Sequence, residues 1–299
     1  MEMKNILVVG SVNMDLTIYT KRLPIIGETI TGEKFSVSPG GKGSNQAIAA
    51  ARLGGNVKFL GMVGDDIYGK ELIDNFITNN VNFCGEVISN CSTGISVITV
   101  CNGDNSIILH QGANGKITAE HIQKYKDLFE WADYVVMQAE IPKDAIIESA
   151  KLAKKCSAEV VFNPAPYTEF GDDLYNYVDI IVLNETEAEL LTGVYPEDKE
   201  SICKVFKFIG DKGISDVILT LGERGAVYND EEQLRYMEAE KVTVVDTTAA
   251  GDCFIGAFVR EKTAGKTKSD AIKFATKAAS VAVSRYGAGI SLPTLVDVQ

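Results

Sequence analysis

The chain opens on a short apolar run, Ile6 to Val9, flanked by polar residues and Gly10. Four consecutive aliphatic residues predict a strand buried on both faces, as in a parallel sheet. No helical period follows. Residues 14–38 mix Thr, Ile, Tyr and Val with Gly27 and Gly32, which predicts extended or turning chain. Gly40-Gly41-Lys42-Gly43 then leads into an Ala-rich helix, Ser44–Leu53, with Ser44 as its cap and Gly54-Gly55 as its stop. Val57–Val63 reads as the next strand. Asp66–Asn79 reads as a helix with Ile67, Leu72, Ile73, Phe76 and Ile77 on one side. Residues 93–111 hold two β-type runs around Asn102-Gly103-Asp104-Asn105, a hairpin signal.

From residue 118 the pattern alternates. A helix near 118–129 precedes a strand Tyr134–Gln138, and a helix near 143–155 precedes a strand Glu159–Asn163. A strand Asp179–Leu183 leads into a helix 185–192, and a helix near 199–212 leads into a strand Asp216–Thr220. This predicts an α/β fold, a doubly wound and mostly parallel sheet covered on both faces. A β-rich stretch (224–245), a helix from Ala249 and another over about 269–285 complete the chain. With no internal repeat or low-complexity linker, residues 1–299 read as a single α/β domain. Segments 13–40 and 93–113 break the alternation and are expected to pair into a small accessory β-sheet.

Composition narrows the partners. The 299 residues carry 29 Lys+Arg against 41 Asp+Glu, a net charge of −12, which disfavours nucleic acid and anionic membrane surfaces. A small anionic ligand must therefore be held by local geometry. The six cysteines are scattered without a CxxC, and His110 and His121 are the only histidines. That pattern predicts reduced thiols rather than disulfides or a zinc site. The N-terminal apolar run is too short for a signal peptide, and no stretch is long enough to span a membrane. A soluble, cytoplasmic protein is expected.

Two phosphate-binding signatures fail on inspection. Gly64–Lys70 (GDDIYGK) resembles a P-loop, but Glu71 stands where a magnesium-binding Ser or Thr is required. Gly10 follows the first strand without a GxGxxG pattern, which disfavours a dinucleotide-binding oxidoreductase.

Three other segments carry chemistry. In VTVVDTTAAGDCF, residues 242–254, a β-branched strand is expected to end at Asp246 and small residues to open a helix. The N–H groups of such a first turn form an anion site, and Ala249, Ala250 and Gly251 allow close approach to the backbone. Asp252 in the same turn is either a simple complement to the helix dipole or a base that takes a proton from an attacking hydroxyl. The second segment, GGKGSNQ (40–46), reads either as a flexible turn or as a binding loop bearing Lys42 and Asn45. Asn13 and Asp15 point to one side of an extended segment, and Glu140 stands just past a strand end. In open α/β sheets ligands bind outside the carboxyl ends of the strands. The mixed donors and acceptors of Asn13, Asp15, Lys42, Asn45 and Glu140 suit a small polyhydroxylated molecule. Third, NETE (184–187) and TLGERG (220–225) also lie at strand ends. They read as caps and turns, or as loops for a nucleotide and its magnesium.

GGKGSNQA, QGAN (111–114), NPAP (163–166), NETEAELLTG (184–193) and DTTAAGD together resemble the PfkB-type carbohydrate kinase family, over essentially the whole chain and most closely its members acting on ribose. The resemblance implies ATP-dependent phosphorylation of D-ribose at its 5-hydroxyl, with other small substrates (2-deoxyribose, fructose, a sugar acid or a nucleoside) or a catalytically silent sugar-binding module as alternatives. It implies Asp252 as the general base and the N–H groups of Ala249, Ala250 and Gly251 as the anion hole. Sugar contacts fall on Asn13, Asp15, Gly41, Lys42, Gly43, Asn45, Glu140 and Asp252. Nucleotide contacts fall on Asn184, Glu187, Thr220, Leu221, Gly222, Glu223, Arg224, Gly225, Gly251 and Thr276, with Glu187 also placing Mg2+. The family is activated by a monovalent cation, usually K+, which maps here to Asp246, Thr248, Ala282, Arg285, Gly287 and Ser291. The accessory β-sheet then becomes a lid that also carries a homodimer contact. Ser44, Ala249, Cys253 and Thr276 depart from the commonest family pattern; none of them touches the implied base.

Overall fold

The apolar runs form the strands of a nine-stranded sheet in the computed structural model, which describes residues 3–101, 104–230 and 233–299. Its first half is built from β1 (Asn5–Val9), β4 (Asn56–Leu60), β6 (Val81–Phe83), β10 (Tyr134–Met137) and β11 (Glu159–Phe162). The second half adds β12 (Ile180–Asn184), β13 (Asp216–Thr220), β14 (Ala226–Asp230) and β15 (Gln233–Met237). The order is β15-β14-β13-β12-β11-β10-β1-β4-β6, parallel from β6 to β13 and antiparallel at β14 and β15. Strand β1 lies between β4 and β10, so the chain winds outward from it in both directions. That makes a switch point at its carboxyl end.

Side chains alternate across each strand. Ile6, Val8, Val136, Val161, Val182 and Ile218 enter one core, and Leu7, Val9, Met137, Phe162, Leu183 and Leu219 enter the other. The first core is covered by α1 (Lys42–Arg52), α2 (Ile67–Thr78), α9 (Ala250–Thr263), α10 (Lys268–Val283) and α11 (Leu295–Val298). The second is covered by α3 (Ala119–Lys124), α4 (Lys126–Trp131), α5 (Lys143–Lys155), α6 (Asp172–Tyr175), α7 (Glu185–Thr192) and α8 (Lys199–Asp211). Among the described residues no helix is long and apolar enough to cross a membrane.

The two segments that broke the alternation lie in a separate four-stranded sheet. Its order is β3-β2-β8-β9, with β2 at Asn13–Thr20, β3 at Lys34–Gly40, β8 at Gly94–Cys101 and β9 at Asp104–His110. Asn102 and Gly103, the turn residues of the hairpin signal, lie outside the described residues. A two-stranded sheet pairs β5 (Met62–Gly64) with β7 (Glu86–Ile88).

Four expectations change in detail. The helix expected from Ser44 begins at Lys42 and is capped by Gly41, whose φ of 91° suits glycine. Ser44 cannot act as the cap because it lies within the helix, its N–H donating to the Ser11 carbonyl. The run Val57–Val63 splits at Gly61, where a side chain would collide with the Gly10 carbonyl and the Phe59 ring. The helix near 118–129 breaks at Tyr125 into α3 and α4. Finally, Val242–Asp246 forms no strand; Val242, Val244 and Val245 are exposed, so their branching finds no sheet to pack in. The P-loop look-alike is a capped helix start, with the Asp66 carboxylate accepting from the Gly69 N–H at 2.8 Å.

Helices α1 and α9 touch where Gly256 lacks a side chain. A Cβ there would lie 2.6 Å from both the Ala49 Cβ and the Gln46 carbonyl. Gly256→Val is expected to force the helices apart and cost about 1–3 kcal/mol of stability. The readout is a lower urea midpoint; an unchanged midpoint would refute the close crossing.

Candidate active site

Asp252 lies in the first turn of α9 and is 7% exposed. Its Oδ2 accepts from Asn45 Nδ2 and its Oδ1 from Gln46 Nε2, both at 3.0 Å. Both donors come from α1, which is why the tight α1–α9 crossing matters here. Burial pushes the Asp252 pKa up, opposed by the Lys42 charge and by the two amides. Gln46 is supported in turn: its Oε1 accepts from Gln138 Nε2 at 2.7 Å, and its Nε2 also reaches Asn163 Oδ1 at 3.3 Å.

The turn before Asp252 is shaped to expose backbone. Ala249 caps α9 in the left-handed region with φ 60°, an uncommon conformation for a residue with a Cβ. The Ala250 N–H donates to the Thr247 carbonyl at 3.2 Å, whereas those of Gly251 and Asp252 reach no acceptor among the described residues. The free N–H donors of this turn are therefore those of Gly251 and Asp252, whereas the Ala250 N–H is already engaged. A Cβ on Gly251 would meet nothing within 4 Å, so the space in front of it is open. It opens onto a cavity of about 210 Å³ lined by Lys42, Asn184, Glu187, Thr220 and residues 249–252.

On one side of that cavity stand the end of β1 and the start of α1. Glu140 Oε2 accepts from the Lys42 N–H at 3.1 Å and from the Ser11 hydroxyl, capping α1 from outside the helix. Gly41 and Gly43 permit this because side chains there would strike Val12–Asn13 and Ser11 respectively. Asn13 and Asp15 are buried at the start of β2, next to the same turn. Burial raises Asp15 from its ordinary 3.8 to about 6, with Glu140 and Asp252 adding repulsion against the Ser96 hydroxyl bond and the Lys42 charge. Lys42 is opposed by burial, but Asp252, Glu140, Glu187 and Asp15 together hold its pKa above the usual value. Four carboxylates thus surround one ammonium.

On the other side, Asn184 and Thr220 are partners in register at the ends of β12 and β13. Glu187 and Asn184 form a reciprocal cap on α7, and burial pushes the Glu187 pKa up. Leu221 is buried, and Gly222, Glu223 and Arg224 form a single turn closed by Gly225. The Arg224 guanidinium is committed elsewhere, to Glu185 at 2.8 Å and to the Glu197 and Pro196 carbonyls. Thr276 is buried on α10 with its hydroxyl unpartnered and does not line the cavity. Sequence reasoning missed Gln46, Gln138, Asn163 and Ser11 as site residues. The available signal was polarity where burial was expected, as in a glutamine on an Ala-rich core helix.

Beside α9, Asp246 ties two loops together. It accepts from the Thr248 N–H at 2.9 Å, the Thr248 hydroxyl at 2.6 Å and the Gly287 N–H at 3.0 Å. Burial works against its charge, but these three donors hold its pKa below the ordinary value. Arg285 turns its side chain to Asp297 at 2.7 Å, Ser291 is fully buried, and the Ala282 carbonyl already accepts the Arg285 N–H at 3.1 Å.

A doubly wound sheet with a carboxylate at a bare helix start is the outline of a phosphoryl-transfer enzyme. Residues 3–295 match the model of the pfkB family carbohydrate kinases. The chain is 38% identical over 293 residues to a ribokinase of Haemophilus influenzae, covering 97% of this chain and 96% of that one. It is 35% identical over 294 residues to a deoxyribokinase of Salmonella typhi, covering 97% and 96%. The structure of Arabidopsis thaliana ribokinase complexed with ribose and ATP superimposes with a TM-score of 0.93 at 32% identity, over 99% of this chain and 98% of that one. The chain belongs to the pfkB family of carbohydrate kinases.

The raised Asp15 carboxyl has a stability consequence. Between pH 3.8 and about 6 the unfolded chain loses this proton while the folded chain keeps it, so folding weakens as pH rises through that window. Asp15→Asn is expected to stabilise the protein by about 2–3 kcal/mol near pH 8, shrinking toward zero by about pH 4. Urea titrations at the two pH values measure it; equal effects at both would contradict the shift.

Proposed function

We propose that the protein transfers the γ-phosphoryl group of ATP to the 5-hydroxyl of D-ribose. The observation that carries this reading is Asp252, held by Asn45 and Gln46 one residue from the bare N–H of Gly251. Asp252 accepts the proton of the hydroxyl as its oxygen attacks. Its raised pKa makes it a better base than an ordinary aspartate, while the Lys42 charge and the two amides favour its ionised form against burial. The N–H groups at the start of α9, with the helix dipole behind them, stabilise the charge on the transferring group. The sugar is held by Asn13, Asp15, Asn45, Glu140 and the 41–43 turn. The nucleotide lies along Asn184, Thr220 and the 221–225 turn, with Arg224 shaping that turn rather than touching ligand.

The ribose assignment draws on the Haemophilus and Arabidopsis relatives. The deoxyribokinase likeness favours 2-deoxyribose as the second reading. Mg2+ fits the site because four carboxylates would otherwise repel a polyphosphate. Among the described residues no cluster of three His, Cys, Asp or Glu could hold a metal, so Mg2+ would be held chiefly by phosphate oxygens and water, with Glu187 as the protein group beside them. It would supply charge neutralisation across the phosphates. Asp246, its pKa held low, fits K+ together with Thr248 and the oxygens of Arg285, Gly287 and Ser291; the Ala282 carbonyl, already accepting the Arg285 N–H, is the weakest member. The small sheet springs from Asn13 and Asp15 and serves as a lid over the sugar. Its exposed Phe35, Val37, Val97, Ile107 and Ile108 suit a homodimer contact. The six free thiols fit a reducing cytoplasm.

A coupled ADP-release assay over pentoses, hexoses, nucleosides and sugar acids, with and without K+, tests the assignment. Fastest turnover is expected with D-ribose, rising with K+; faster turnover of 2-deoxyribose would select the second reading. Asp252→Asn is expected to lower kcat by about 10²–10⁴-fold while nucleotide affinity, measured by calorimetry, holds. Near-normal turnover in that variant would remove Asp252 as the base.

A further inference from the structure

We infer that Asn114 is a positioning residue, setting which end of the Asn13 amide faces the sugar. The inference rests on the proposed sugar contact at Asn13.

The reasoning starts from a backbone group whose polarity is fixed. The Val12 N–H can only donate, and its acceptor is Asn114 Oδ1 at 3.1 Å. The other end of that amide must then be the donor. Asn114 Nδ2 lies 3.0 Å from the Val12 carbonyl and 2.7 Å from Asn13 Oδ1. Reversing Asn114 would set N–H against N–H and oxygen against oxygen at one residue, so its orientation is locked. The Asn13 oxygen is turned to Asn114 by this bond, and Asn13 Nδ2 makes no hydrogen bond among the described residues. A donor is thereby left for a ligand.

The surroundings are built to accommodate this relay. Asn114 and Asn13 are each 1% exposed. Gly94 is the register partner of Asn13 on β8, and a Cβ there would lie 2.2 Å from both Asn114 Nδ2 and Asn13 Oδ1. Two residues along the same face of β2 stands Asp15, which presents carboxyl oxygens. Donor and acceptor side by side match neighbouring sugar hydroxyls, each of which gives and takes one hydrogen bond. A reversed Asn13 would present acceptors twice and lose that match.

The test uses Asn114→Leu and Gly94→Ala in the full chain, with the sugar that the substrate panel turns over fastest. Gly94→Ala keeps both amides but pushes them apart, and it stands in should Asn114→Leu fail to fold. Each variant is expected to raise the sugar KM about tenfold or more while kcat and the nucleotide KM stay within about twofold. Asn13→Ala should show the same rise, and the Asn13→Ala/Asn114→Leu double variant no more than either single. A normal sugar KM in folded Asn114→Leu or Gly94→Ala overturns the relay, as does an equal rise in both KM values, which marks a general structural role. A normal sugar KM in Asn13→Ala overturns the sugar contact itself.

Discussion

The Asp252 carboxylate is buried at the start of α9, with an amide of α1 on each oxygen. A charge removed from water is costly unless it is paired and hydrogen-bonded. Much of the surrounding architecture answers that cost. Helix α1 must lie against α9, which the missing side chain of Gly256 allows. Gln46 must hold its orientation, which Gln138 and Asn163 supply from the ends of β10 and β11. Lys42 must keep its charge despite burial, which the carboxylates around it ensure.

The same arrangement explains why the cleft has two sides. The chain winds away from β1 in both directions, leaving a crevice beyond its carboxyl end. Asn13, Asp15 and Glu140 stand on the β1 and β10 side, and Asn184 and Thr220 on the β12 and β13 side. The α9 terminus lies between them, where a group passing from one side to the other meets bare N–H donors.

Much of this was legible in the chain. Buried parallel strands are written as short unbroken aliphatic runs, and Ile6–Val9, Glu159–Phe162 and Asp216–Thr220 were read within a residue or so. Small residues around Asp252 marked the exposed helix start because only close backbone approach makes use of them. Misreadings came where distant chain decides local structure. The α1 cap is a carboxylate 98 residues away, so Ser44 looked like the cap when Gly41 and Glu140 do that work. Val242–Val245 carry strand-like side chains but have no neighbouring strand, and propensity alone cannot supply one. Gln46, Gln138 and Asn163 come from three elements that only the folded sheet brings together. Arg224 looked available to a ligand because its partner Glu185 is 39 residues away.

The excess of carboxylates over ammonium in the cleft also acts at longer range. An uncharged polyol can enter such a field without penalty, whereas a bare polyphosphate is turned away before it reaches any individual contact. A counterion carried with the second substrate would offset that repulsion.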